Sequence, residues 1–137
     1  MGKSIATNAI GGDLYAAGDL VFENQNLADT DATTSAEFLL AQTMGAAQLN
    51  IVAGADGVAT GSGETLVITL VTSPTSGGTF DDTIWTETIP ASQTFAAGEA
   101  IASFVPPRDV AECYAKLVIT SDYDATGEEV TAYQVGV

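Results

Sequence analysis

Residues 65–72 read TLVITLVT, and this stretch decides the fold class because it carries the clearest strand pattern in the chain. The side chains of a β-strand point alternately to the two faces of a sheet. Alternation places two groups on opposite faces, namely Leu66, Ile68 and Leu70 against Val67, Thr69 and Val71. Since both groups are largely apolar, we predict a central strand that is covered on both sides.

Shorter stretches of the same character follow one another along the chain, separated by turns rich in Gly and Asp. The further strand candidates are residues 19–23, 48–53, 83–89, 94–95, 100–104, 114–121 and 129–135. Between two of them, residues 54–63 (GADGVATGSG) are predicted to form a mobile glycine-rich hairpin at the surface. Residues 122–127 (DYDATG) are predicted to form a turn, since Asp accepts local amide hydrogen bonds and Gly supplies a positive φ.

One segment, residues 36–41 (AEFLLA), fits two kinds of structure. Thr34 and Glu37 have the spacing of a capping box, which favours a short helix. The shortness of the segment and the nearby Gly45 favour a strand instead, and we predict the strand.

Eight or nine short strands without a long helix indicate an all-β protein, and specifically an antiparallel β-sandwich of jelly-roll type. A chain of 137 residues is long enough for one domain with a substantial core. We therefore predict a single jelly-roll domain over residues 19–137. Residues 1–18, rich in Ala and Gly, are predicted to form an extended N-terminal arm.

The composition is strongly acidic, with 18 acids, three bases and a net charge of −15. Lys3, Arg108 and Lys116 are the only cations, which argues against nucleic-acid binding and against anionic membrane surfaces. No apolar run has transmembrane length, and no signal peptide is visible, so we expect synthesis in a cytoplasm. The single Cys113 cannot form an intramolecular disulfide and is predicted to be a small buried residue.

The residue types present in the sequence give little support for a catalytic function. The chain has no histidine, which excludes Ser-His-Asp and Cys-His sites and histidine-ligated metals. Asp81 and Asp82, beside Trp85, are the best carboxylate pair for glycoside hydrolysis, but neighbouring strand residues face opposite ways and acids in turns usually face solvent. The glycine-rich loop lacks the lysine of a phosphate-binding loop. We predict a protein that is not an enzyme and needs no cofactor.

Two binding features remain as weak candidates. Asp122, Asp124 and Thr126 place oxygens as in the first half of an EF-hand loop, but position 12 is Tyr133 rather than the bidentate Glu. A plain turn accounts for the same residues. The aromatic residues Phe80, Trp85 and Tyr123 could form a stacking platform for sugars, although an isolated Trp on an alternating strand is more often part of the core.

Several segments together resemble the Bbp16-like capsid cement proteins of tailed bacteriophages. The matching segments are LVFENQNL (20–27), TTSAEFLLA (33–41), GETLVITLVTSPTSGGTFDD (63–82), FVPPRDVAECYAKLVIT (104–120) and GEEVTAYQV (127–135). The most diagnostic combination is the TLVITLVTS strand with a polar loop to Phe80, followed by a Pro-containing turn, the Tyr-x-Lys-Leu strand and the Gly-x-x-Val-Thr-Ala ending.

The resemblance implies a jelly-roll subunit on the outer surface of an assembled phage head, where it staples neighbouring copies of the major capsid protein. It implies a virion protein made in the host bacterial cytoplasm, with no enzymatic residues. Members of the family look like small symmetric homo-oligomers, and we expect a dimer, with a trimer as the other possibility. This chain departs from the family in its N-terminal arm and in having Lys116 where an Arg is usual.

The predicted partner-binding residues follow from this interpretation. In the arm they are Lys3, Ile5, Ile10, Leu14 and Tyr15, and elsewhere they are Phe80 and Arg108. The arm is expected to reach a neighbouring subunit, and a disordered tail is an equal alternative. Two other functions stay open: a calcium- or carbohydrate-binding β-sandwich of a phage tail or secreted adhesin, and a hydrolase that uses carboxylates.

Overall fold

The computed structural model describes residues 20–40, 48–106 and 114–135. The predicted arm and its contact residues therefore lie outside the described residues, as do Arg108 and Cys113. The residues with predicted roles that lie outside the described ranges are Lys3, Ile5, Ile10, Leu14, Tyr15, Arg108 and Cys113.

The described ranges contain eleven strands and no helix, so the prediction of an all-β protein is confirmed. The strands are β1 (Leu20–Asn26), β2 (Ala32–Thr34), β3 (Phe38–Leu39), β4 (Gln48–Ala53), β5 (Val58–Thr60), β6 (Leu66–Ser73), β7 (Asp82–Ile89), β8 (Gln93–Phe95), β9 (Ala100–Phe104), β10 (Tyr114–Ser121) and β11 (Glu129–Val135). No helix long and apolar enough to cross a membrane occurs in these ranges.

Two antiparallel sheets carry most of the strands. Sheet 1 has the order β1-β11-β4-β9, and sheet 2 has the order β2-β10-β6-β7, with β3 also paired to β10. Strands β5 and β8 form a separate two-stranded pair. Apart from β6 and β7, which follow one another in the chain, neighbours within sheets 1 and 2 are distant in sequence, so the tertiary fold determines which strands pair.

One hydrophobic core lies between sheets 1 and 2. Its members include Leu49, Ile51, Val130 and Ala132 from sheet 1, and Leu66, Ile68, Leu70, Ala115, Leu117 and Ile119 from sheet 2. None of these side chains is more than 1% exposed. Each strand contributes alternate residues, which is the pattern of a β-sandwich whose two inner faces interdigitate.

The central position predicted for β6 is correct, because it pairs with β10 on one side and β7 on the other. The prediction that β6 is covered on both faces is wrong. Leu66, Ile68 and Leu70 are fully buried, whereas Val67 and Thr69 on the opposite face are only half-buried.

Two short strands were missed in the sequence. Residues 54–63 were predicted to be a mobile hairpin, but Val58–Thr60 within them pair with β8, and Thr60 is buried with its hydroxyl donating to the carbonyl of Pro90 at 2.6 Å. Ala32–Thr34 pair with β10. Three residues are too few for an alternating pattern to be visible.

The described part of segment 36–41 contains β3, as predicted, and no helix. Strands β2 and β3 follow the same edge of β10, and Ser35 joins them. The amide of Ser35 donates to the carbonyl of Leu117, and its hydroxyl accepts the Leu117 amide, both at 2.9 Å. The cap-like spacing of Thr34 and Glu37 therefore has no helical role.

Candidate interaction surfaces

The strand register divides the sandwich into two ends. Leu20 lies opposite Tyr133, Val135 opposite Gln48, and Tyr114 opposite Leu39, so the residues that flank the undescribed segments share one end. We call it the apolar end and define it by Leu39, Phe80, Trp85, Phe104, Val105 and Lys116. The turn end is opposite and comprises the turns at 27–31, 54–57, 61–65, 90–92, 96–99 and 122–128.

The apolar end carries the two large hydrophobic side chains that are exposed in the described ranges, Leu39 at 59% and Val105 at 54%. The side-chain amide of Gln134 donates to the Leu39 carbonyl at 3.2 Å, which links the two sheets. Gln134 lies opposite Leu49 in sheet 1, and Leu49 lies opposite Phe104 on the next strand. Val105 follows Phe104 directly. The two exposed side chains therefore belong to one end of the molecule, where sheets 1 and 2 meet.

Aromatic side chains support this end from within the fold. The rings of Trp85 and Phe104 stack with centroids 5.1 Å apart at 14°, and both side chains pack against the core. This arrangement agrees with the interpretation of Trp85 as a core residue. Offset stacking of this kind contributes about 0.5–1.5 kcal/mol beyond area burial.

Phe80 is the described member of the predicted partner-binding set. Its ring is half-buried, and the Lys116 ammonium lies 4.7 Å from the ring centroid. A cation over an aromatic face within about 6 Å is attracted by the ring quadrupole. Phe80 therefore has an intramolecular partner, and Lys116 is held at the border of the apolar end.

The loop before Phe80 is fixed by Glu37. The Ser76 hydroxyl donates to one carboxylate oxygen of Glu37, and the Gly77 amide donates to the other at 2.7 Å. These hydrogen bonds, with a smaller contribution from the charge of Lys116, lower the pKa of Glu37. The polar loop is thus tied to the edge of sheet 2 rather than projecting freely.

The weak calcium candidates lie at the turn end, where other groups of the protein use their oxygens. The Thr65 amide and hydroxyl donate to the two oxygens of Asp122, each at 2.8 Å. The Thr126 amide and hydroxyl donate to one oxygen of Asp124, at 3.1 and 2.5 Å. The two carboxylates therefore serve separate turns. In the described ranges no group of three or more acidic or sulfur side chains is arranged to hold a metal ion.

These hydrogen bonds have an electrostatic consequence. The amide and hydroxyl of Thr65 lower the pKa of Asp122, and those of Thr126 lower the pKa of Asp124, because donors favour the charged carboxylate. Gly127 follows with a φ of 93°, a conformation that suits glycine. The turn predicted for residues 122–127 is confirmed.

Tyr123 is buried at the turn end, and its hydroxyl donates to Glu128 at 2.8 Å. Burial and the adjacent Glu128 carboxylate raise the pKa of Tyr123. Since Phe80 and Trp85 lie at the apolar end, the three aromatic residues do not form the sugar-stacking platform considered from the sequence.

Other carboxylates at the turn end also accept backbone amides. Each of these pairs joins a carboxylate to a main-chain donor: Glu64 with Gly61 at 2.6 Å, Glu99 with Ala96 at 2.6 Å, Asp31 with Ala32 at 2.7 Å, and Glu128 with Ala59 at 3.2 Å. Backbone donors therefore replace the cations that the sequence lacks. From the sequence, such hydrogen bonds were expected in the turn at 122–127 and not at these four carboxylates.

In the part of the chain that the structure describes, the other acidic residues and the open depression do not bring reactive groups together. Asp81 and Asp82 are exposed, and Asp82 begins β7 with its carbonyl accepting the Thr72 hydroxyl at 3.3 Å. A shallow open depression of about 700 Å³ lies along β4 and β9, with Glu87 as its charged lining residue. Small and uncharged side chains such as Ala102 and Ser103 form much of its wall.

Comparison of the chain with models of protein families, with curated proteins and with solved structures finds no match.

Proposed function

We propose that this protein is a bacteriophage capsid cement protein, which binds the outer surface of the head and staples neighbouring major capsid protein subunits without catalysis. The observation that carries the proposal is the apolar end, with Leu39 and Val105 more than half exposed on an otherwise strongly acidic protein. Exposed apolar side chains grouped at one end, beside polar surface, are typical of a protein-binding site.

The strand order supports the finer assignment to a jelly roll. Strand β3 and the separate pair of β5 and β8 are set aside, and the remaining eight strands are renumbered 1 to 8 in chain order. In these numbers sheet 1 has the strand order 1-8-3-6, and sheet 2 has the strand order 2-7-4-5. This is the order obtained when two Greek keys are wrapped into facing sheets. The proposed fold is therefore the one that the resemblance to cement proteins implies.

The charge distribution supports a structural role on a particle. Carboxylates at the turn end are bound to backbone amides and stabilise turns, so they are not grouped around a pocket as catalytic acids would be. A net charge of −15 also keeps particles that carry many copies apart in solution. We place the turn end towards solvent and the apolar end towards the capsid.

The proposal is tested by co-sedimentation with empty shells assembled from the major capsid protein of the same genome. The double variant Leu39→Asp with Val105→Asp is compared with a control of equal charge at exposed positions away from the apolar end, Ser62→Asp with Thr94→Asp. We expect the wild type and the control to pellet with the shells and to raise their melting temperature, and the apolar-end variant to stay in the supernatant. Equal pelleting of both variants would contradict the orientation, and no binding by the wild type would contradict the function.

A further inference from the structure

The outer face of sheet 1 carries the shallow open depression of about 700 Å³ along β4 and β9. Its floor follows from the alternation of β4, in which every second residue is buried in the core. The residues between them, Gln48, Asn50 and Val52, therefore lie on the outer face, where they are half-buried. All three line the depression, so its floor is built mainly from uncharged polar side chains.

The strand register brings three polar side chains into one row across the depression. Tyr133 of β11 lies opposite Asn50 of β4, and Asn50 lies opposite Ser103 of β9. Neighbouring strands are about 4.8 Å apart, so the row is about 10 Å long. All three residues line the depression. A phenol, an amide and a hydroxyl are therefore within reach of one small ligand.

The amide side chains in the depression differ from those that hold the fold together. The side-chain oxygen of Asn24 accepts a backbone amide at 3.0 Å, and the side-chain amide of Gln134 donates to a backbone carbonyl at 3.2 Å. Within the described ranges, no hydrogen bond to another protein group uses the side chain of Gln48 or Asn50. These two half-buried amides are therefore available to a ligand.

The charges around the depression restrict the class of ligand. Among the described residues that line it, Glu87 is the one charged residue, and none is a cation. An anionic ligand would find no positive partner there and would be repelled by a protein that carries −15. One carboxylate is also too few to hold a metal ion, and the described ranges contain no cluster of three such ligands. The lining therefore favours an uncharged polar ligand.

We propose that the depression on the outer face of sheet 1 binds a neutral glycan. A side-chain amide both donates and accepts hydrogen bonds, as do the hydroxyls of Ser103 and Tyr133, so the row around Asn50 matches the neighbouring hydroxyls of a sugar ring. The Glu87 carboxylate accepts charge-assisted hydrogen bonds from further hydroxyls. The Tyr133 ring and the Val52 side chain supply apolar contact for the C–H face of the sugar.

The shape of the depression sets the strength of binding. Strand β9 is at the edge of sheet 1, and its small residues Ala100, Ala102 and Ser103 leave the depression open on that side. A glycan longer than the polar row can therefore extend past the edge. An open site desolvates only part of its ligand, so we expect a dissociation constant of about 1 mM. The inference is independent of the proposed capsid function, because no residue that defines the apolar end lines the depression.

The test is an NMR titration of the isotopically labelled full-length protein without capsid shells. The probes are neutral oligosaccharides of glucose, galactose, mannose and N-acetylglucosamine, each added to about 20 mM. We expect at least one of them to shift the backbone amides of Asn50, Ser103 and Tyr133 and to leave those of the turn end unchanged. Oligogalacturonate also carries ring hydroxyls but is anionic, and it should shift none of these amides.

Three variants locate the site. Asn50→Ala removes the central amide, Ser103→Tyr fills the depression from an exposed position, and Gln93→Ala removes an exposed amide from β8 as the control. We expect the dissociation constant to rise about fivefold for Asn50→Ala and to stay within about twofold for Gln93→Ala, whereas Ser103→Tyr abolishes the shifts.

Ser103 is exposed, so Ser103→Tyr keeps the test valid if Asn50→Ala fails to fold. A wild type whose amides shift with none of the neutral oligosaccharides overturns the proposal. Equal weakening by Gln93→Ala overturns the location of the site, and tighter binding of oligogalacturonate overturns the ligand class. Because no capsid protein is present, none of these outcomes depends on whether the protein binds shells.

Discussion

The two ends of the β-sandwich are built from side chains of opposite chemistry. At the turn end, carboxylates accept backbone amides and hold tight turns, as Asp122 does for Thr65 and Glu64 for Gly61. At the apolar end, Leu39 and Val105 are exposed and the aromatic stack of Trp85 and Phe104 lies behind them. The turn end is held together by hydrogen bonds within the chain, whereas two large apolar side chains of the apolar end are exposed.

The largest effect is expected from Tyr123→Ala at the turn end. Tyr123 is 7% exposed and its hydroxyl is bound to Glu128, so truncation leaves a cavity and removes a hydrogen bond. We expect the free energy of unfolding to fall by about 3–5 kcal/mol in urea denaturation. The matched change at the apolar end, Leu39→Ala, should cost less than about 0.5 kcal/mol because the side chain is exposed. Similar losses at both ends would remove the distinction between them.

A smaller effect is expected from Lys116→Met at the apolar end. The substitution keeps the length of the side chain and removes the charge over Phe80. We expect a loss of about 0.5–1 kcal/mol, the range of an accessible cation–π contact. A double-mutant cycle with Phe80→Leu measures the coupling between the two side chains. A coupling near zero would show that the contact between Lys116 and Phe80 does not stabilise the fold.

Acid should loosen the turn end through Asp122 and Asp124. Their folded-state pKa values are lowered, so the stability that they contribute is present above the unfolded pKa and is lost as the pH falls through the folded pKa. We expect the amides of Thr65 and Thr126 to lose protection below about pH 4, measured as their exchange rates relative to an unstructured chain at the same pH. Asp122→Asn should lower the melting temperature at neutral pH and make the protection of the Thr65 amide less dependent on pH. Unchanged protection in acid would show that the turns do not depend on these carboxylates.

The smallest effect is expected from calcium. Asp122 and Asp124 are bound to different donors, and no described cluster offers three ligand side chains. We expect millimolar calcium to shift the melting temperature by less than about 1 °C. A ligand raises the melting temperature only when it binds the folded state, and the described residues offer calcium no site. Magnesium at equal concentration is the control for ionic strength. A calcium-specific rise of several degrees would revive the binding-module interpretation.

Part of this structure was accessible from local patterns in the sequence. Strands β4, β9, β10 and β11 have the predicted bounds, and in β4 and β10 buried residues alternate with less buried ones over six to eight positions. Strands β2 and β5 have three residues each and carry no readable period. The sequence-based site was less accessible. Phe80 is the one predicted partner-binding residue that the structure describes. The exposure of Leu39 could not be read from the sequence, because it depends on how the strands around it pack.

The sequence by itself determined the all-β class, the inward faces of the long strands and the turn at 122–127, because these depend on neighbours along the chain. Only the tertiary structure decided that the outward residues of β6 are half-buried, and that Thr65 is the donor for Asp122. Both follow from strand pairing across 50 or more residues, as between Leu66 and Ser121. The physical reason is that alternation specifies which face a side chain takes, whereas packing of the whole core selects the strand beside it.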